Sequence, residues 1–203
     1  MTKQSERVLI VFVKNPIAGK VKTRLAHTIG NERALEVYLS LMSHTIAIGA
    51  MAECDRAVFF SDEIENDPVW VNEGYISKLQ SGSDLGERMH NAFDWAFGAG
   101  YKKAVIIGSD CPELTTQIIH KAFSVLDEQR VVIGPATDGG YYLLGMKQLH
   151  SSVFRGKQWS TDNVTLDTIL DLKRENHSYA LLETLSDVDE EKDLVLMSKI
   201  ISL

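Results

Sequence analysis

Four cations crowd into twelve residues near the start of the chain, Lys14-Asn15-Pro16-Ile17-Ala18-Gly19-Lys20-Val21-Lys22-Thr23-Arg24-Leu25. Pro16 and Gly19 shape a loop whose backbone N–H groups can face an anion, and the positive end of a following helix adds to the attraction. Lys14 and Lys20 reach a phosphate as point charges, Arg24 as a planar fork. A run of this kind is ordinarily a solvated helix end. Its place directly after an apolar strand turns the reading toward phosphate binding. It is neither a Walker A loop, lacking the glycine spacing and the Lys-Ser/Thr pair, nor a dinucleotide fingerprint, lacking Gly-x-Gly-x-x-Gly.

Carboxylates stand at the ends of later strands. An apolar run ends in Gly108-Ser109-Asp110-Cys111-Pro112, where Pro112 forces a turn and leaves Asp110 at the strand's lip. A hard carboxylate oxygen there suits Mg²⁺ or Mn²⁺ bridging phosphates. The bland alternative, a helix cap, is better served by Thr115 or Thr116. Asp138-Gly139-Gly140-Tyr141 supplies a second acid, read as a further metal ligand or as a base for an acceptor. Asp-Gly is also a common hairpin turn. The second glycine and the tyrosines add a place where backbone and ligand approach closely beside an aromatic surface. In Asp187-Val188-Asp189, Asp189 reads as the cap of a last helix, and the two acids stand in reserve should Asp138 be only a turn residue.

Apolar, β-branched runs at Val8–Val13, Ala57–Phe60, Ala104–Ile107, Val131–Ile133 and Tyr141–Gly145 predict strands, with a strand-like run at Tyr179–Leu185. Helical spacing follows a cap at Asn31 (Ala34, Val37, Tyr38, Leu41, Met42, Thr45). It recurs over Leu85–Phe97 behind an Asp84/Glu87 capping box, after Thr115 or Thr116, over Asp162–Lys173 and over Glu190–Ile200. Ser61–Gly74 reads as irregular. Strands alternating with helices predict an α/β fold with a mostly parallel sheet covered on both faces, and ligands in such sheets bind beyond the C-terminal strand ends.

At 203 residues, 44% hydrophobic and 24% charged, the chain suits one domain spanning 1–203. Its 21 Lys and Arg against 28 Asp and Glu give a net charge of −7, which repels a nucleic-acid backbone and requires local cations or a metal wherever an anion binds. The two cysteines, Cys54 and Cys111, form neither a disulfide framework nor a metal-ligand spacing, and no stretch is long enough to span a bilayer. Cytoplasm is the expected compartment. Cys111 has no base beside it in sequence, and the six histidines are scattered.

The Lys14–Leu25 loop, Gly108-Ser109-Asp110-Cys111-Pro112, Asp138-Gly139-Gly140-Tyr141 and Trp159-Ser160-Thr161 together resemble the bacterial family DUF2064, whose members are often named glycosyltransferases or selenodomain-associated transferases. The resemblance implies a GT-A, nucleotide-diphospho-sugar transferase fold, with a Rossmann-like, mostly parallel mixed sheet flanked by helices, and a metal site at Asp110. The first loop is also similar to that of phospholactate guanylyltransferases, in which a Lys follows the first strand and Lys-x-x-x-Arg-Leu opens the helix, here Lys20 to Leu25. Gln80 to Gly86 is similar to a Gln…Leu-Gly loop that touches the base in sugar nucleotidyltransferases, which assigns Gln80, Leu85 and Gly86 to the nucleotide. Trp159, Ser160 and Thr161 would line the acceptor pocket; read from the residues alone, Ser160 or Thr161 caps the next helix. The chain departs from these families in carrying a single Asp in Ser109-Asp110-Cys111 instead of Asp-x-Asp, and only Gly19 where a glycine-rich loop is usual.

The expected function is a metal-dependent glycosyltransferase acting on a nucleoside-diphosphate sugar and a small acceptor. In it Asp110 and Asp138 hold Mg²⁺ or Mn²⁺, and Lys20 and Arg24 steady the phosphates. A nucleotidyltransferase using a triphosphate and a phosphorylated acceptor, and a non-catalytic nucleotide-binding module, are the alternatives. Oligomeric state is not legible.

Overall fold

The computed structural model describes residues 5–64 and 68–201; residues 1–4, 65–67 and 202–203, among them part of the Ser61–Gly74 stretch, lie outside the described residues. Seven strands form one sheet: β1 (Arg7–Val13), β2 (Asp55–Phe60), β3 (Tyr75–Leu79), β4 (Lys103–Ile107), β5 (Val131–Pro135), β6 (Tyr141–Met146) and β7 (Tyr179–Leu181). Their order is β3-β2-β1-β4-β6-β5-β7, and only β6 runs antiparallel to its neighbours.

The reason for this arrangement lies in β1, a run with no solvated face. Leu9, Val11 and Val13 pack into one core and Val8 and Ile10 into another, the period-2 division expected of a strand covered on both sides. The first core is closed by α2 (Asn31–Ala50) and α5 (Thr116–Glu128). Helices α4 (Leu85–Gly98) and α6 (Val164–Arg174) close the second. Short helices α1 (Thr23–Ile29) and α3 (Pro68–Asn72) complete the layers, and residues Glu191–Met197 form a 3-10 helix that continues as α7 (Ser198–Ile201).

Several local expectations change. Asn31 does not cap α2; it is the first helical residue, behind Gly30 at φ 85°, a left-handed position that breaks α1 from α2 at little cost only with glycine. Strand β3 lay unseen because its alternation is weak, an edge strand with Ser77 and Lys78 that pairs only with β2. The Asp84 cap holds, accepting from Glu87 N at 2.8 Å, but Glu87 reaches back to Ser83 rather than to Asp84. Thr115 caps α5, accepting from Ile118 N. Neither Ser160 nor Thr161 caps α6, whose first turn follows Asn163. Asp189 is not the cap of the last helix either, because Glu190 takes that place with Asp193 in a capping box.

Since β1, β2, β4, β5 and β7 all point the same way, the segments after them emerge at one edge of the sheet. The antiparallel β6 begins at that edge, so the turn joining β5 to β6 lies there too. No described helix is long and apolar enough to cross a membrane.

Candidate active site

The loop after β1 is built before it can bind anything. Asn15 is buried; its Nδ2 donates to Glu63 O at 2.9 Å and its Oδ1 accepts from Asp62 N at 3.0 Å, so the loop is sewn to the end of β2. The Tyr38 hydroxyl accepts from Lys14 N and donates to Lys14 O, both at 2.9 Å, with Ser109 Oγ 3.3 Å away. Burial pushes this phenol's pKa up, which keeps it a neutral bridge between β1 and β4. Two loop N–H groups that might have faced an anion, those of Ile17 and Lys20, are used within the loop.

Lys22 is where the loop does something the sequence does not announce. Its backbone is left-handed, φ 46° and ψ 45°, which costs a residue with a Cβ roughly 1–2 kcal/mol. This turn sends the side chain inward, 5% exposed, where Nζ lies 2.9 Å from Asp110 Oδ2 and 3.2 Å from Asp189 Oδ1. Arg24, 68% exposed, reaches the other oxygen of Asp189 at 3.3 Å. Asp110 and Asp189 are held together by their backbones, since Val188 N donates to Asp110 O at 3.1 Å. Glu113 secures the same segment by accepting from Ser186 N at 3.0 Å.

The electrostatics follow from this packing. Burial alone would raise the Asp110 carboxyl, but the Lys22 ammonium outweighs it and holds Asp110 below the ordinary carboxylate range. Burial would lower Lys22, and the two carboxylates outweigh that in turn, so its pKa is raised. At Asp187 the Lys22 charge is outweighed. Burial first, then the charge of Asp110, pushes its carboxyl well above the usual range, with Asp138 and Asp189 adding to the effect. Its Oδ1 is buried and makes no hydrogen bond among the described residues.

Lys22, Arg24, Asp110 and Asp189 border a cleft of about 450 Å³, a volume within the usual range for small-molecule sites. Of the residues expected from sequence, Lys14, Arg24, Gln80, Leu85, Asp110 and Ser160 line it. Gln80 also ties the sheet, donating to Val13 O at 3.1 Å and to Phe59 O at 2.9 Å. Lys22, Arg88, Tyr38 and Ser109 line the cleft as well, in roles the sequence reading did not assign them, and so does Asp189, the carboxylate held in reserve.

The other expected residues lie outside the cleft wall. Lys20 and Gly19 are exposed in the loop. Gly86 is buried beneath Trp159, where a Cβ would fall 2.2 Å from the indole ring; the pair locks the 159–161 loop onto α4. Thr161 donates to Gln158 O at 2.8 Å, and Ser160, at φ 64°, is the member of that loop that turns to the cleft. Asp138 is exposed and its Oδ1 accepts from Gly140 N at 2.9 Å, the local bond of an Asx turn. The close approach expected at Gly139 and Gly140 exists at Gly139, but to protein: a Cβ on Gly139, at φ 87°, would meet Asp162 O at 2.0 Å. The Tyr141 hydroxyl turns into the second core toward Met89 Sδ, and burial raises its pKa. Cys111 is buried and its thiol is likewise pushed up, the opposite of an activated nucleophile.

A divalent cation fits the donor set. Asp110 and Asp189 already converge on one positive point. Among the described residues no three His, Cys, Asp or Glu side chains are spaced to cage a metal by themselves. That suits an ion such as Mg²⁺, which is commonly held by one or two carboxylates with the rest of its shell from water and substrate phosphate.

The profile of a family described as uncharacterized proteins conserved in bacteria, DUF2064, matches residues 45–161. Among solved structures, the chain is similar to a provisionally named nucleotide-diphospho-sugar transferase from Desulfovibrio desulfuricans G20. The two share 32% identity over 96% of this chain and 87% of that one, at a TM-score of 0.88. It also shares its fold with a 4-diphosphocytidyl-2C-methyl-D-erythritol synthase (8% identity, 98% and 100% of the chains, TM-score 0.62). A CMP:2-keto-3-deoxy-manno-octonic acid synthetase complexed with CTP has that fold too (10% identity, 98% and 100%, TM-score 0.59). No curated protein matches.

Proposed function

The chain belongs to the DUF2064 family and has the fold of nucleotide-diphospho-sugar transferases, and from that premise we propose that it is a metal-dependent transferase taking a nucleoside-diphosphate sugar in the cleft at the C-terminal strand ends. The observation that carries this reading is a concentration of charge. In a chain of net charge −7, four cations, Lys14, Lys22, Arg24 and Arg88, border one cleft together with the paired carboxylates Asp110 and Asp189. Cations and acids side by side are what a phosphate-plus-metal ligand requires, and neither alone would suffice.

In this reading Asp110 and Asp189 would hold Mg²⁺ or Mn²⁺, which neutralises phosphate charge and eases departure of the nucleoside diphosphate. Lys14 and Arg88, which both line the cleft, grip phosphate oxygens. Arg24 fixes Asp189, and Tyr38 and Ser109 keep the two strand ends in register. The Trp159 loop, lying over α4 with Ser160 turned inward, narrows the cleft on the acceptor side.

Nucleotidyl transfer is the second reading. It is favoured by the number of cations, which is generous for a diphosphate and apt for a triphosphate whose pyrophosphate departs. Incubating the protein and Mn²⁺ with nucleoside triphosphates and phosphorylated acceptors and, separately, with nucleotide sugars and small hydroxyl acceptors distinguishes the two. Nucleoside diphosphate released from the sugar donor supports glycosyl transfer, and pyrophosphate from the triphosphate supports nucleotidyl transfer. Binding of either, seen as a raised melting temperature, with no product in any pairing would leave a binding module and sink both.

A further inference from the structure

The Lys22 ammonium stands where a metal between Asp110 and Asp189 would carry its charge. Its Nζ lies 2.9 Å and 3.2 Å from the two carboxylates, on a side chain only 5% exposed. Two cations cannot share those oxygens at contact distance without strong repulsion. The backbone around Lys22 also makes departure feasible: the left-handed turn at φ 46° is held by tertiary contact rather than by preference, and strain of that kind is found at switch positions. Asp189 need not move with it, because Arg24 holds its other oxygen at 3.3 Å. Asp110 is tied through its carbonyl to Val188 N.

We propose that Lys22 is a resident cation that competes with the divalent ion for the Asp110–Asp189 pair, so that the free protein binds metal weakly, and that a phosphate-bearing ligand in the adjoining cleft draws the ammonium onto itself and opens the pair to the metal. Metal and ligand then strengthen each other's binding by the same factor, as linkage demands. The carboxylates stay neutralised at every stage, by Lys22 before the ligand arrives and by the metal after. This rests on the metal reading above.

The test needs only Mn²⁺ as probe. Free Mn²⁺ is followed by electron paramagnetic resonance as it is titrated into the wild type, Lys22→Met and Lys22→Gln, each with and without Asp110→Asn, with no nucleotide present. The expected result is Mn²⁺ bound about tenfold or more tightly by the Lys22 variants, a coupling of ordinary size, and lost again with Asp110→Asn. Equal or weaker binding by the variants overturns the competition while leaving a metal site. No binding by any of them overturns the metal reading along with it. A second measurement serves should the variants not fold: acetylation of Lys22 in the wild type, read by mass spectrometry, rises several-fold on saturation with Mn²⁺. An unchanged extent of labelling overturns the proposal.

Discussion

Two acidic turns sit at the same edge of the sheet, and they behave differently. Asp110 follows β4 and is met from elsewhere in the chain, by Lys22 across 88 positions, while its backbone carbonyl holds Val188. Asp138 follows β5 and is met from two residues away, by Gly140 N. Both look alike in sequence: an Asp at a strand end within two residues of glycine or proline. The contrast is one of satisfaction. A carboxylate whose bonds close locally is spoken for by its own turn, whereas one held by distant charges sits in a site the whole fold has assembled.

The sharpest way to break that comparison is Asp110→Asn. With Mn²⁺ present, calorimetry should show nucleotide affinity reduced by about 10²-fold, since truncating one partner of a hydrogen-bonded charge pair costs about 2–5 kcal/mol. Unchanged affinity would make Asp110 no different from Asp138. The next effect falls on stability rather than binding. Gly139→Ala must push against the Asp162 backbone from a left-handed φ and should lower the unfolding free energy by about 1–3 kcal/mol, with nucleotide affinity of the folded fraction retained. Loss of affinity at full stability would move the 138–140 turn into the site.

A pH measurement tests whether acid sensitivity belongs to the opposite edge, beyond the end of β6. There His150 is buried against the His177 ring, 4.1 Å between centroids, and its Nε2 makes no hydrogen bond. Burial, and then His177, lowers its pKa from 6.5 to about 4. Between those values the unfolded chain takes up a proton that the folded chain refuses, so stability falls as pH drops from 6.5 toward 4. His150→Phe should flatten that part of the melting-temperature profile without altering nucleotide binding at neutral pH. If the slope persists, His150 is not its source.

The smallest expected effect is that of Asp138→Asn. An amide oxygen accepts from Gly140 N as a carboxylate does, so melting temperature should hold and turnover change by less than about twofold. A large fall in turnover at unchanged stability would instead give Asp138 the acceptor-side chemistry that its position in the sequence suggests.

Much of the frame was legible without coordinates. Runs such as Val8–Val13 have one low-energy fate, a strand buried on both faces, and the parallel order of such strands puts their following loops together. The basic loop and Asp110 could be placed at that edge on pattern alone. Edge strand β3 was not legible, because a strand that pairs on one side only tolerates Ser77 and Lys78 and loses its alternation. Asp189 is legible only in part, as a second carboxylate in reserve, because its place before a helix reads as a cap until Glu190 is seen to take that duty.

The first loop divides the two kinds of knowledge most clearly. Sequence alone determined that cations would gather after the first strand, because residue type and chain order suffice for that. It could not determine which of them turns inward. Lys20, singled out by spacing, stays in solvent, and Lys22 enters the cleft. That choice is made by a left-handed backbone at Lys22 and by two carboxylates 88 and 167 positions away. No local preference encodes either, since the strained turn is stable only once β4 and the 187–189 segment have brought their charges to meet it.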